Sequence, residues 1–533
     1  MTNAHKAVER ELKLTLPGPE AETLIVEMIR AQGYRVKAVP TVTNVDLYLD
    51  TFDWVLMKKK LSLRYRIADG KALYTIKSLG LIEDGIAVRR ETEVALDKPA
   101  ATPTDIELKQ ISNVIAEIIF PRKLLEQIQI HTERRRYRVV SPESAKFELA
   151  FDKAAFQLKG FHPRHSMRKL YELEAELLTG PPAALEDLAA LFSAPLDYPP
   201  STHAKFELAC ERFKITIPSK KPPVRYMVRP GDRLDLAVRK ILTYQLQKFH
   251  EQLPGIEQDI DTEFVHQARV ATRRMRSSLR LFRDAIPPST GQFLAAELKW
   301  LGGLLGTVRD LDVFLLNLSH FQQQIGRFPE KQKKFFENWI AEHRRGPLAA
   351  LHQTFTSLRY KNFERRMARF LSQPLPQRPR AALAVKLVHE VAPQLINEKF
   401  VAVMEQGRAV LADPQLEQFH RLRIQMKKLR YACEFMSPAY EGTLDPFIER
   451  TVEIQDCLGD IQDTVFTQHF IDTLFDAWKR KIVSPALLFV LGEIYQLQEG
   501  IAAERKHRFG KIWDRFATEE TIGQLQEILR RSV

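Results

Sequence analysis

The chain has 533 residues, too many for one hydrophobic core, with 44% apolar residues and a net charge of +13 that splits into +3 for residues 1–220 and +10 for residues 221–533. Three widely spaced cysteines exclude a disulfide framework or a thiolate zinc site, and no run is apolar enough to span a bilayer or to serve as the core of a signal peptide. The expected protein is cytoplasmic, has several domains and carries a basic second half that calls for an anionic partner.

The first patterned stretch, AVERELKLTL, reads as a strand that sends Glu9, Glu11 and Lys13 to one face and Arg10, Leu12 and Leu14 to the other. Residues 18–33 then show helical spacing and end at Gly33. Alternating segments follow. Asp46, Tyr48 and Asp50 share a face, as do Arg64 with Arg66, Thr75 with Lys77, and Arg89 with Glu91 and Glu93. Further on, Arg134, Arg136 and Arg138 share one face, Glu148 and Asp152 another, and Glu172, Glu174 and Glu176 a third. Segment after segment is charged on one side and apolar on the other. A closed antiparallel barrel of about eight strands requires that pattern, with a charged lumen and an apolar exterior covered by helices. Helical patterns near 182–192 and 201–213 would flank it, the second carrying Lys205.

Residues 216–231, rich in Pro and Lys, read as a linker between a first domain at 6–215 and a second at 232–533. Beyond the linker the period changes to 3.6. A second Pro-rich break at 372–380 divides this helical part into halves of about 232–371 and 381–533. HQARVATRRMRSSLRLF from His266 matches HRLRIQMKKLRYACEFM from His420 at an offset of 154, and the segments around Gly306 and Gly459 match at 153, so the helical part is an internal duplication. The expected class is therefore α+β: an antiparallel β-tunnel with flanking helices, followed by an all-α domain of two duplicated helical bundles.

Arginine and lysine in the lumen would neutralise a polyanion, and guanidinium groups match phosphate oxygens two at a time. Carboxylates can approach phosphate only through a cation, which makes Glu9, Glu11, Glu172 and Glu174 candidate ligands of a hard divalent ion. The E-x-E-x-K start, LRYR, TIK, ELEAEL and THAKFELA together resemble the CYTH family of triphosphate tunnel metalloenzymes over most of 6–215. The resemblance implies hydrolysis or rearrangement of triphosphate compounds with Mg²⁺ or Mn²⁺. It implies metal held by Glu9, Glu11, Asp152, Glu172 and Glu174, and triphosphate held by Lys13, Arg64, Arg66, Lys77, Arg134 and Lys205. Glu9, Glu11, Lys13 and Lys77 are the catalytic candidates. Arg136 stands as the alternative to Arg134, because a run of three arginines leaves the register open by one. Asp50 and Tyr48 read as structural or tunnel-mouth groups, and no general base is evident.

In the helical half, Arg269, Arg273, Arg276, Arg280 and Arg283 recur at steps of four and three beside the apolar stripe Ala268, Ala271, Met275, Leu279 and Phe282. The second copy sets His420, Arg423, Lys427 and Arg430 beside Phe419, Leu422, Met426, Leu429 and Cys433. Arginines without interleaved acids repel one another on a free helix face, so the stripe reads as an anion site. This half resembles the CHAD domain over about 230–530. The resemblance implies binding of inorganic polyphosphate, with contributions from His266 and His420, and possible residence on polyphosphate granules follows from it. Gly306 and Gly459 read as turns, with Asp310 and Asp463 after them pairing with the basic helices. Inorganic triphosphate and polyphosphate are the expected partners. A membrane is not expected, and nucleic acid is disfavoured because no base-reading motif occurs. Together the two resemblances imply a metal-dependent inorganic triphosphatase joined to a polyphosphate-binding module. Thiamine triphosphatase, adenylate cyclase and a non-catalytic polyphosphate scaffold are the alternatives.

Overall fold

The computed structural model describes residues 6–68, 71–78, 86–96, 102–104, 111–159, 168–196, 198–201, 203–215, 226–325, 329–478 and 484–531. The chain divides into two compact units, Met1–Pro218 and Ser219–Val533. Residues 216–225 of the expected linker lie outside the described residues.

Eight strands build the first unit: β1 Lys6–Leu16, β2 Arg35–Asp50, β3 Leu61–Ala68, β4 Lys71–Ser78, β5 Ile86–Leu96, β6 Leu125–Val140, β7 Lys146–Leu158 and β8 Arg168–Thr179. They close into a barrel in the order β1-β5-β4-β3-β2-β6-β7-β8, with antiparallel neighbours throughout. Each segment whose period-two charge pattern was legible in the sequence lies in one of these strands. Closure leaves no free edge, so the charged face of every strand turns to a common interior. Pro40, which cannot donate to a ladder, sits where the β2–β6 register slips between Val39 and Val42.

The apolar faces pack outward. Helices α1 (Ala21–Ala31) and α4 (Ala183–Leu196) cover β1, β6, β7 and β8 through Ile25, Ile29, Leu188 and Phe192, which meet Leu12, Leu14, Phe147 and Leu173. The short α2 (Val55–Lys58) and α3 (Asn113–Ile119) close the side formed by β3, β4 and β5. Asp50 caps α2, accepting N–H groups from Thr51, Leu56 and Met57, and burial pushes its carboxyl up to about 6 against those bonds. It is thus a structural residue and does not line the lumen. Helix α5 (Lys205–Arg212) seats Phe206, Ala209 and Cys210 against Tyr48, Trp54, Ile128 and Phe156, with the Phe206 ring stacked on Tyr48 at 4.8 Å. That anchoring fixes where its first residue, Lys205, enters the barrel.

The second unit is helical. Its first half runs α6 Leu234–His250, α7 Leu253–Glu257, α8 Thr262–Leu281, α9 Pro288–Gln324, α10 Glu330–Thr356 and α11 Leu358–Ser372. The second half runs α12 Val388–Ala412, α13 Leu416–Met436, α14 Asp445–Trp478, α15 Pro485–Phe516 and α16 Glu519–Arg531. Apart from α7, the helices correspond in order. Both apolar stripes are buried, Ala268 to Phe282 in the first copy and Phe419 to Cys433 in the second. The halves also share a core, in which Phe314, Phe336 and Ile340 pack with Ile471, Leu491 and Ile494. One expectation is corrected. Gly306 and Gly459 make no turns and lie inside the long helices α9 and α14. Continuous 3.6-residue packing overrides the glycine signal, which costs a helix only ~1 kcal/mol. A Cβ at Gly306 would stand 3.7 Å from Arg269 Nε, an ordinary van der Waals contact, so the Arg269 guanidinium passes close to α9 there without requiring the glycine. Among the described residues no helix is long and apolar enough to cross a membrane.

Candidate active site and basic helical surface

The barrel interior holds a cavity of about 250 Å³. Among the described residues six cationic groups line it (Lys13, Arg64, Arg66, Lys77, Arg134 and Lys205), together with six acidic ones (Glu11, Asp46, Glu93, Asp152, Glu174 and Glu176). The balance is nearly neutral, so a polyanion gains from this lumen only if some of the carboxylates are taken up by a cation.

The charges form a connected network. Arg66 grips Asp46 with two bonds of 2.6 and 2.8 Å. Arg64 donates to Thr75 at 3.0 Å and lies 3.4 Å from Glu93, whose carboxylate also accepts the Thr75 hydroxyl. Arg134 holds Asp152 with bonds of 2.8 and 2.7 Å and also bonds Glu174. Lys13 lies 2.9 Å from Glu11 and 2.7 Å from Glu174. Burial works against the Lys13 ammonium, but Glu174 and Glu11 outweigh it and hold the amine above its ordinary range. Burial likewise opposes the Glu174 charge, and Lys13, Lys205 and Arg134 overcome it, keeping this carboxyl well below the usual carboxylate range.

Asp152, Glu172 and Glu174 each offer an oxygen, and the three oxygens lie within 4.8 Å of one another. The pairing Asp152↔Glu172 across β7 and β8 produces the cluster, and Glu174 is two residues on along the same face. Glu172 is fully buried, and neither of its oxygens accepts a well-formed hydrogen bond. A buried carboxylate whose cationic neighbour among the described residues, the Lys205 ammonium 2.8 Å away, makes no well-formed hydrogen bond to it, in an oxygen-only donor set, fits a hard divalent ion.

The cavity thus collects Glu11, Lys13, Arg64, Arg66, Lys77, Arg134, Asp152, Glu174 and Lys205 from the sequence candidates, with Glu172 behind them. The side chains of Glu9 and Glu91 lie outside the described residues. Arg136 does not line the cavity. It sits two residues further along β6 and donates to the Pro40 carbonyl, so the register selects Arg134, which faces Asp152. Asn44 and Thr132 also line the wall, and an uncharged residue gives no period-two charge signal by which to find it.

The basic surface of the helical unit is not a single stripe. Arg269 and Arg273 of α8 stand close enough to Arg423 and Lys427 of α13 to shift their titration. Burial, Arg423, Arg273 and Arg269 together push the Lys427 amine down to about 7, with Asp463 opposing. Arg309 of α9, absent from the candidates, joins this group beside Arg269 and Asp463. The Arg423 Nε is buried without a hydrogen-bond partner among the described residues. Arg273 donates to the Tyr431 hydroxyl at 2.9 Å, and His420 bonds Gln462 at 2.6 Å. Arg276 and Arg280 line a separate cavity of about 570 Å³ with Arg283 and Lys299. Arg430 is engaged by Glu434 and Gln455 at 2.6 and 2.9 Å. His266 lies on α8 one turn before this group.

A closed antiparallel tunnel with a charged lumen and a carboxylate triad, joined to a duplicated helical unit with a basic surface, defines the class. Residues 7–204 match the CYTH domain and residues 240–472 match the CHAD domain, so the chain is a CYTH-family domain followed by a CHAD-family domain. Similar solved structures include the CHAD domain of the plant Ricinus communis (22% identity, 53% of this chain and 94% of that one, TM-score 0.42) and PptA from Streptomyces chartreusis (17% identity, 54% and 99%, TM-score 0.43). A third is a Hippeastrum protein assigned as an adenylyl cyclase and described as having a dominant triphosphatase activity (23% identity, 40% and 100%, TM-score 0.27). No curated protein matches the chain.

Proposed function

We propose that the CYTH unit hydrolyses inorganic triphosphate to pyrophosphate and phosphate with Mg²⁺ or Mn²⁺, and that the CHAD unit binds polyphosphate. The observation that carries the first part is the buried Asp152–Glu172–Glu174 cluster at the wall of a cavity that also presents Arg64, Arg66 and Lys77. Asp152, Glu172 and Glu174 would hold the ion together with Glu11, and Glu9 completes the set that the CYTH resemblance implies. When bound, the ion supplies charge neutralisation and polarises phosphoryl oxygens. Arg64, Arg66, Lys77 and Arg134 bind and orient the phosphate chain, and their charge offsets the negative charge that builds on the departing pyrophosphate. Lys13 stays charged through Glu174 and Glu11, ready to meet a phosphate oxygen on the same wall. Water then adds to the terminal phosphorus and the P–O bond to the bridging oxygen breaks. The attacking water's proton passes to the products or to solvent.

The cavity walls are charged or small, with Tyr48 as their one aromatic group among the described residues. This favours a bare triphosphate over one that carries a base. The test is product analysis with tripolyphosphate, ATP and thiamine triphosphate in Mg²⁺ or Mn²⁺. Release of phosphate from tripolyphosphate, well ahead of the other two, is expected. Cyclic AMP from ATP would make the unit a cyclase, and no turnover of any of the three would leave a scaffold.

For the helical unit, the grouping of Arg269, Arg273, Arg309, Arg423 and Lys427 across α8, α9 and α13 supports an anion site for a linear phosphate chain. Lys427 gives it a pH signature. With its amine brought down to about 7, it carries its positive charge below that pH and sheds it above. Polyphosphate binding is therefore expected to be tighter at pH 6 than at pH 8 at constant salt, and Lys427→Met should flatten the difference. Competition with DNA at matched salt measures selectivity, since counterion release makes both interactions salt-sensitive.

A further inference from the structure

Lys205 was expected to hold substrate, yet among the described residues its ion-pair partners are all acids. Its Nζ lies 2.7 Å from Asp152, 2.8 Å from Glu172 and 2.6 Å from Glu174. These are the three carboxylates whose oxygens gather within 4.8 Å. The Asp152 and Glu172 side chains have no solvent exposure, and among the described residues Glu172 has no other charged partner at ion-pair distance. The ammonium therefore stands where the oxygen set converges.

We infer that Lys205 is an internal stand-in for the divalent ion: its ammonium and the ion compete for the same carboxylate oxygens, and the ion enters only as Lys205 leaves. This rests on the metal-dependent reading of the tunnel given above. Two cations cannot share these oxygens, because at such separations their repulsion in a buried site far exceeds its value in water. Local charge points the same way. Glu11, Asp152, Glu172 and Glu174 carry four negative charges against the three positive ones of Lys13, Arg134 and Lys205, so an added divalent ion turns the described site net positive unless one cation departs. Lys13 is also held by Glu11, and Arg134 by two parallel bonds to Asp152. Lys205 is the mobile member. Helix α5 is anchored through Phe206, but the four-carbon lysine stem can turn about its own bonds without moving the helix. The displaced ammonium has a destination in the cavity it already lines, where an incoming triphosphate is the one anion without a partner. Ion and triphosphate would then help each other to bind, as linkage requires.

The test measures Mn²⁺ binding to the full chain without phosphate, by calorimetry and by the loss of the free-ion paramagnetic resonance signal. Lys205→Met keeps the apolar stem and removes the competitor. It is expected to bind Mn²⁺ about tenfold or more tightly than the native chain, and adding Glu172→Gln should abolish the gain. Mn²⁺ should also raise the melting temperature of Lys205→Met more than that of the native chain, since without the ion three buried carboxylates lose a counter-charge. Equal or weaker Mn²⁺ binding by Lys205→Met overturns the inference and leaves the metal-dependent tunnel standing. Absence of binding by both chains overturns the metal reading itself. Should Lys205→Met fold only with Mn²⁺ present, that supports the inference. If neither it nor Lys205→Gln folds even with Mn²⁺, the ammonium is needed alongside the ion and the inference falls.

Discussion

Glu172→Gln/Glu174→Gln is expected to release phosphate from tripolyphosphate at least about a hundredfold more slowly than the native chain, since each tenfold corresponds to ~1.4 kcal/mol and a divalent ion contributes several kcal/mol of charge stabilisation. The double change removes two of the three clustered carboxylates while keeping side-chain shape. It also leaves Asp152, Arg134, Lys13 and Lys205 in place, so the lumen becomes more positive. A site that worked by cationic attraction alone would bind triphosphate more tightly after this change. A site that needs an ion would lose turnover however well it binds. Steady-state rates combined with binding of unreacted tripolyphosphate separate the two. Turnover within a few-fold of native would remove the carboxylate cluster from the reaction and with it the hydrolytic mechanism proposed here.

Arg134→Met is expected to destabilise the CYTH unit by about 3 kcal/mol, the low end of the range for breaking a buried ion pair by removing one partner. The low end applies because Asp152 and Glu174 keep Lys205, and Glu174 keeps Lys13 as well. Arg134 itself is 29% exposed, so part of its charge was already screened by water. For a unit of this size the loss lowers the melting temperature by roughly 6–12 °C. The two units have separate cores, so calorimetry should show one transition moved and the CHAD transition unchanged. A shift below about 2 °C would mean that the Arg134 contacts to Asp152 and Glu174 are energetically idle.

The eight strands were legible in the sequence because a barrel with a charged interior imposes alternation on every strand, and alternation survives in one dimension. Glu11, Lys13, Arg64, Arg66 and Glu174 could be assigned to a common face on that ground alone. The duplication was legible for a similar reason, since the His266 and His420 helices repeat the same apolar stripe and both stripes are buried.

Depth along a strand is another matter. Arg134 and Arg136 share a face, and only the pairing of β6 with β7 decides that Arg134 meets Asp152 while Arg136 reaches the Pro40 carbonyl. Asp50 shares a face with Asp46 in the sequence, but the chain turns into α2 and draws it into a cap. The glycines at 306 and 459 carry a turn signal that helix packing overrules. Arg430 reads as one of a basic row, and Glu434 one turn away claims it. Period, charge and repeat are properties of the chain itself and fix which residues can share a surface. Which opposite charges lie within 3 Å of each other depends on strand register and on helix docking across more than a hundred residues, as between Lys13 and Glu174. The place of the Lys205 ammonium among three carboxylates was decided in the same way, by the seating of Phe206 on Tyr48.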